Sequence, residues 1–278
     1  MIDKMGGSLF ANRKQSEILA PVLSEARRFP YGPFSFKTNV RSGVSYTILA
    51  STDLAHWIPI ANGTASAQGL EYLDSDASKF SNRFYRVIAN EVSSQNALGF
   101  IAITLPPGFS LIANPLESAQ NTVADLFKGW PDGTSLNKFD THLFKLSENN
   151  FAQNRWTQPE EKLTPGDGAI FFNPTNDYKS HSFVGEVLQG NLARPVPSGF
   201  SLRSSSVPQA GNLVDDLGFP IADGDVVHLF DRDHQKYVLY PFENGKWKSG
   251  PPILGVGEAF WIAKTEAGNW VREVNLET

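Results

Sequence analysis

From Phe34 to Ile88 apolar and polar residues alternate with a period of two. Phe34, Phe36 and Thr38 share one phase, and Tyr46, Ile48 and Ala50 resume it after the Ser42-Gly43 turn. Runs at Trp57 to Ile60, Leu70 to Leu73 and Phe84 to Ile88 follow, separated by Asn, Asp and Ser clusters. Successive strand side chains point to opposite faces, so this pattern predicts short antiparallel strands. Residues 31–92 therefore read as a small β-sandwich. Upstream the period changes: Ile18, Leu19, Val22, Leu23 and Ala26 recur at helical spacing behind Asn12 and Gln15. Residues 1–30 read as an N-terminal extension with a short helix over 12–28, which Pro21 kinks or ends.

The rest of the chain is written twice, 91 residues apart. Gly108-Phe109-Ser110-Leu111 returns as Gly199-Phe200-Ser201-Leu202, and Asn121, Val123, Asp125 and Leu126 return as Asn212, Val214, Asp216 and Leu217. Asp132-Gly133, Phe139-Asp140, Phe151, Trp156 and Gly166 return as Asp223-Gly224, Phe230-Asp231, Phe242, Trp247 and Gly257. Constant spacing across several residue types marks a duplicated module. Each copy reads as five or six short strands with one helical turn, at Val123 to Phe127 and at Val214 to Leu217. The copies are placed at 98–180 and 181–276, with Phe183 to Val187 opening the second. The predicted fold class is mainly β: a small antiparallel sandwich followed by two homologous β-rich repeats packed as a pseudo-symmetric pair.

Composition narrows the chemistry. Hydrophobic residues make up 41% and charged residues 19%, with 20 Phe, a balance that suits strands and turns over helices. Cysteine is absent, which removes disulfides, thiolate nucleophiles and cysteine-ligated zinc. A net charge of -5 offers no basic footprint for nucleic acid. No apolar run reaches the length of a membrane-spanning helix, and the first ten residues do not form a secretory signal.

Several motifs carry a resemblance. Tyr46 to Leu54 with Trp57, Asp74 and Arg83-Phe84-Tyr85-Arg86-Val87 resembles a short β-sandwich module of large predicted extracellular proteins of Verrucomicrobia and related bacteria. Leu105 to Asn114, Pro131-Asp132-Gly133-Thr134, Trp156 and Leu163 to Ala169 resemble a β-rich repeat of proteins from the same group. The resemblance spans most of residues 34–270. It implies an extracellular or cell-surface accessory role and brings no catalytic residue with it.

Candidate chemistry is sparse. Asp132 and Asp223 sit in Asp-Gly turns, and Asp140 and Asp231 follow strand aromatics; all four read first as turn formers. Asp231, Asp233 and His234 form the densest oxygen and nitrogen cluster and are the candidate metal ligands, for a structural calcium ion. Otherwise no cofactor is expected. The five histidines lack zinc-hydrolase spacing, and His228 lies in a strand as a candidate base. Flat aromatics on a β face can stack on sugars, which makes Trp130, Arg155, Trp156 and Trp247 the candidate ligand-binding set, against a core role for the tryptophans. The expected function is a non-catalytic binding or surface-associated module whose partner is a glycan or another protein surface. The alternative is a hydrolase acting on a polysaccharide or ester, with its site at the seam between the repeats.

Overall fold

The computed structural model describes residues 19–30, 32–67 and 69–276. The first module contains β1 (Leu23–Arg28), β2 (Phe34–Thr38), β3 (Ser45–Ser51), β4 (Ile58–Thr64), β5 (Leu70–Asp74) and β6 (Asn82–Ala89). Strands β1-β2-β5 form one antiparallel sheet, and β3, β4 and β6 belong to the other. Phe34 stacks on Tyr85 at 4.8 Å between the two sheets, with Phe36 and Phe100 beside it. The buried Asp74 carboxylate accepts from Tyr85 Oη and meets Arg83 Nε at 2.9 Å.

The helix expected over 12–28 is corrected at its described end, since residues 12–18 lie outside the described residues. Leu23–Arg28 is a strand paired with β2. Pairing to a buried sheet outweighs a helical period that Pro21 already interrupts. The register slips between Ser24 and Arg27, where Glu25 takes a positive φ of 51°. This bulge is how a chain with helical spacing is accommodated in a sheet.

The first repeat begins with β7 (Leu98–Leu105) and β8 (Gly108–Ile112), then α1 (Val123–Leu126), β9 (Ser135–Asn137), β10 (Ala169–Asn173) and β11 (Lys179–Glu186). Thr122 caps α1 by accepting from Asp125 N–H. The second repeat contains β12 (Gly190–Val196), β13 (Gly199–Ser204), β14 (Val226–Asp231), β15 (Lys236–Glu243), β16 (Ala259–Lys264) and β17 (Gly268–Val274). Its counterpart of α1 is a hydrogen-bonded turn, in which Gly218 N–H reaches Val214 C=O.

The two copies share one topology. Strand order β9-β10-β8 in the first matches β14-β16-β13 in the second, and the pair β7-β11 matches β12-β17. Strand β11 pairs along its whole length with β7. Residues 183–186 thus close the first repeat, which corrects the expectation that they open the second; β12 does that. The pairs differ in their surroundings. Strand β7 also bonds to β6, so the six-stranded sheet β11-β7-β6-β3-β4, with Val92–Ser93 added beside β6, joins the sandwich to the first repeat.

The repeats meet about a local two-fold. Ala113 N–H donates to Gly257 C=O, and Ser204 N–H donates to Gly166 C=O. Ile112 bridges Glu258, and Asp167 bridges Arg203. In both cases the second contact is the first with its two partners exchanged and shifted by the repeat spacing, as an isologous interface requires. Leu111, Ala113, Leu202 and Ala259 form the small seam core, flanked by Phe139, Ile170, Phe230 and Trp261.

Candidate functional site

Trp130 and Trp156 are core residues, exposed by only 7% and 4%. Trp130 packs edge-on against Phe171 and donates its indole N–H to His181 Nδ1. Trp156 packs on Phe127 and on Phe151, its partner across the Phe151–Ala152 and Arg155–Trp156 ribbon. Trp247 repeats that ribbon contact with Phe242 and lies partly buried on the core of the second repeat. Burial takes Trp130 and Trp156 out of the surface that the expected ligand platform needs. A small repeat must bury its large side chains, and the Phe and Trp of each ribbon anchor it to the sheet. Arg155 is exposed on the turn beside them.

The residues of the expected metal cluster, Asp231, Asp233 and His234, lie in a hydrogen-bonded turn. Asp231 Oδ1 accepts from the N–H groups of Asp233 and His234, and Oδ2 lies 2.8 Å from His234 Nδ1. The backbone N–H of His234, ahead of its side chain, holds the Asp231 carboxyl below the usual carboxylate range. Asp140 makes the equivalent turn with His142 and Leu143, and Asp53 makes another with Ala55 and His56. The same local chemistry in three places identifies a turn motif. Among the described residues no three His, Cys, Asp or Glu side chains are grouped to hold a metal ion. Asp223 accepts from Gly245 N–H, a bond that ties its turn to the Asn244-Gly245 turn.

A surface-facing cluster does exist, at the seam. In the second repeat the period-two pattern places Phe200, His228, Tyr237, Leu239 and Trp261 on one sheet face. Register fixes this: His228 lies opposite both Leu239 and Trp261, and Tyr237 opposite Phe230. Phe200, Tyr237 and Leu239 are exposed, and Trp261 is half-buried. The Phe200 and His228 rings lie 5.5 Å apart, and Trp261 Nε1 donates to Tyr237 Oη at 3.3 Å. Partial burial lowers the His228 pKa, which favours its neutral ring with one donor and one acceptor.

The first repeat supplies the adjoining wall. Phe139 packs edge-on against Trp261 at 4.8 Å and lines a cleft of about 1070 Å³ together with Asn137, Asp140, Lys145, Glu148 and Gln158. Lys138, on the cleft wall, is held by Asp167 and by the Lys162 carbonyl. Backbone N–H groups of Leu143 and His142 hold the Asp140 carboxyl low, so it stays an acceptor at neutral pH. His228 is a candidate base on sequence alone, and nothing in its own strand links it to Trp261. The available signal was the outward phase of β14 and β15, occupied by His228, Phe230, Tyr237 and Leu239 where a solvated face would be polar.

No family model matches the chain, and no curated protein matches its sequence. Among solved structures it is similar to a tetra-tandem repeat in the extending region of a large adhesion protein. That similarity has 10% identity and a TM-score of 0.22, and covers 93% of this chain and 74% of that one. A second similarity is to domains FN1–FN3 of chicken CNTN1, with 10% identity and a TM-score of 0.21, covering 91% and 97%. Among the described residues no helix is long and apolar enough to cross a membrane.

Proposed function

We propose that the chain is a non-catalytic, surface-associated binding module that takes a carbohydrate chain along the seam between its repeats. The observation that carries the reading is the Phe139–Trp261 contact, where a polar cleft from one copy adjoins an exposed aromatic face from the other. A pyranose presents an apolar face and a rim of hydroxyls. Trp261, Tyr237 and Phe200 offer rings to the first, while Asn137, Gln158 and Glu148 offer donors and acceptors to the second. Of the carboxylates that a seam hydrolase would pair, Asp140 engages Oδ1 and Asp231 both oxygens within its own turn, which favours binding over paired acid and base work. An extracellular or cell-surface setting follows the sequence resemblance.

A glycan array followed by titration of the retained glycans tests this. Replacing Trp261 and Tyr237 by Ala is expected to weaken the retained glycan by about 1–3 kcal/mol for loss of stacking area, with the protein still folded. An array with no retained glycan, or unchanged affinity in the double variant, defeats the proposal.

A further inference from the structure

Strand β11 is the outer edge of the six-stranded sheet and, among the described residues, its one strand partner is β7. At its end the outer edge is already in use: Glu186 N–H donates to Glu117 C=O, and Glu117 N–H donates to Glu186 C=O. In an antiparallel strand every second residue directs both backbone groups to the same side. Val184, Ser182 and Ser180 therefore direct their N–H and C=O groups to this open edge, where no described residue pairs with them. The usual guards are missing. Strand β11 has no proline, and between Lys179 and Glu186 it has no Lys, Arg, Asp or Glu, whereas the ribbon strand β12 carries Arg194 and Pro195.

Two clefts flank this edge, of about 680 and 400 Å³, and both are lined by Ser182 and Val184. The larger one is lined by Arg28, by Lys128, whose ammonium meets Asp125 at 2.7 Å, and by the exposed Phe29, so Arg28 is its cation without a described carboxylate partner. The Arg28 guanidinium lies 3.8 Å over the Phe100 ring, and no described carboxylate pairs with it. Its Nη1 is buried without a hydrogen-bond partner. A half-buried guanidinium on an aromatic face, lacking an anion, is a position that an external carboxylate completes.

We infer that the β11 edge receives an extended acidic peptide segment of a partner protein, added antiparallel as a further strand. The added strand continues the pairing that Glu117 begins at Glu186. Main-chain bonds to Ser180, Ser182 and Val184 hold it, and an acidic side chain on the cleft side meets Arg28 and Lys128. The site is separate from the repeat seam, so its test does not depend on glycan binding.

The probe is a ten-residue peptide of alternating Glu and Val, compared with its Lys–Val counterpart, read by amide hydrogen exchange and fluorescence anisotropy on the full chain. In the free protein the amides of Ser180, Ser182 and Val184 are expected to exchange fast while those of His181 and Phe183 are protected by β7. The Glu–Val peptide is expected to slow the first three. Arg28→Glu and Lys128→Glu are each expected to weaken it about tenfold, and the exposed Lys128 site keeps the test valid should Arg28→Glu unfold. Four results each overturn the inference: slow exchange at the three amides in the free protein, protection that appears only with rising protein concentration, equal binding of the Lys–Val peptide, or no protection by the Glu–Val peptide.

Discussion

The two repeats hold one backbone with different chemistry at matched positions. In the first, Thr134 and Asn173 are buried and neutral: Thr134 Oγ1 donates to the Pro131 carbonyl, and Asn173 Nδ2 donates to the carbonyls of Leu105, Pro106 and Asp177. In the second, the same two places hold Asp225 and Lys264, a buried ion pair. On the seam face, Asn137, Leu146, Glu148 and Ile170 of the first copy correspond to His228, Tyr237, Leu239 and Trp261 of the second. What did not diverge is the backbone exchange of Ala113 and Ser204 with Gly257 and Gly166. Main-chain bonds and turn glycines tolerate many side chains around them, so duplication freed one face to become polar and the other aromatic while the scaffold stayed fixed.

The sharpest break of that comparison is at the buried pair. Burial alone would push the Asp225 carboxyl up, yet the hydrogen bonds from Lys264 and from Thr265 N–H hold it below its ordinary value. Asp225→Ala leaves the Lys264 charge uncompensated and is expected to cost about 3–5 kcal/mol in urea unfolding. The double variant Asp225→Thr, Lys264→Asn installs the neutral pair of the first repeat and is expected to recover most of that loss. A double variant no more stable than Asp225→Ala would show that the two copies do not share a scaffold at this point.

Acid should act on the first repeat before the second. His181 is buried, stacked on Phe127, and pushed down to about 4 by desolvation. Its counterpart in the second repeat is Arg272. With the folded value depressed, the unfolded chain takes the proton first. Stability from neutral His181 is therefore full above about pH 6.5 and falls until about pH 4, by roughly 3 kcal/mol in all. The lowered carboxyls, Asp225 among them, act in a lower window: their contribution is present above the unfolded value and lost as pH falls through the folded one. Unfolding free energy measured against pH, with His181→Gln alongside, isolates the His181 contribution; between about pH 6.5 and 4 the variant should lose less stability than the wild type, the remaining slope belonging to the likewise lowered His228. A wild-type curve no steeper than the variant's there would refute the assignment.

The smallest difference lies at the seam glycines. Gly166 and Gly257 both have positive φ, 95° and 78°. A Cβ at Gly166 would meet Ser206 Oγ at 2.8 Å and the flexible Arg194 side chain, whereas one at Gly257 would meet Ile103 Cγ2 at 2.8 Å inside the core. Each Gly→Ala change should cost about 1–2 kcal/mol from backbone strain. Gly257→Ala should be the worse of the two, because the branched Ile103 cannot move aside. Thermal unfolding of the two variants in parallel checks the order, and the reverse order would place the close packing in the other copy.

The chain alone determined a good deal. Period-two runs, Asp-Gly and Asn-Gly turns and the 91-residue echo specify β modules in duplicate, because strand alternation and turn chemistry are local properties. A cap at Asn121 or Thr122, and the turn role of Asp140 and Asp231, were legible for the same reason; the structure selects Thr122. Tertiary structure decided what depends on distant partners. It buried Trp130 and Trp156 while leaving Trp261 at the surface, although all are tryptophans beside β segments. It turned the helical spacing before residue 28 into an edge strand, assigned residues 183–186 to the first repeat, and left the β11 edge unpaired by the described residues beyond Glu186. Which face of an element is covered depends on the surface that packs against it, and no local pattern contains that surface.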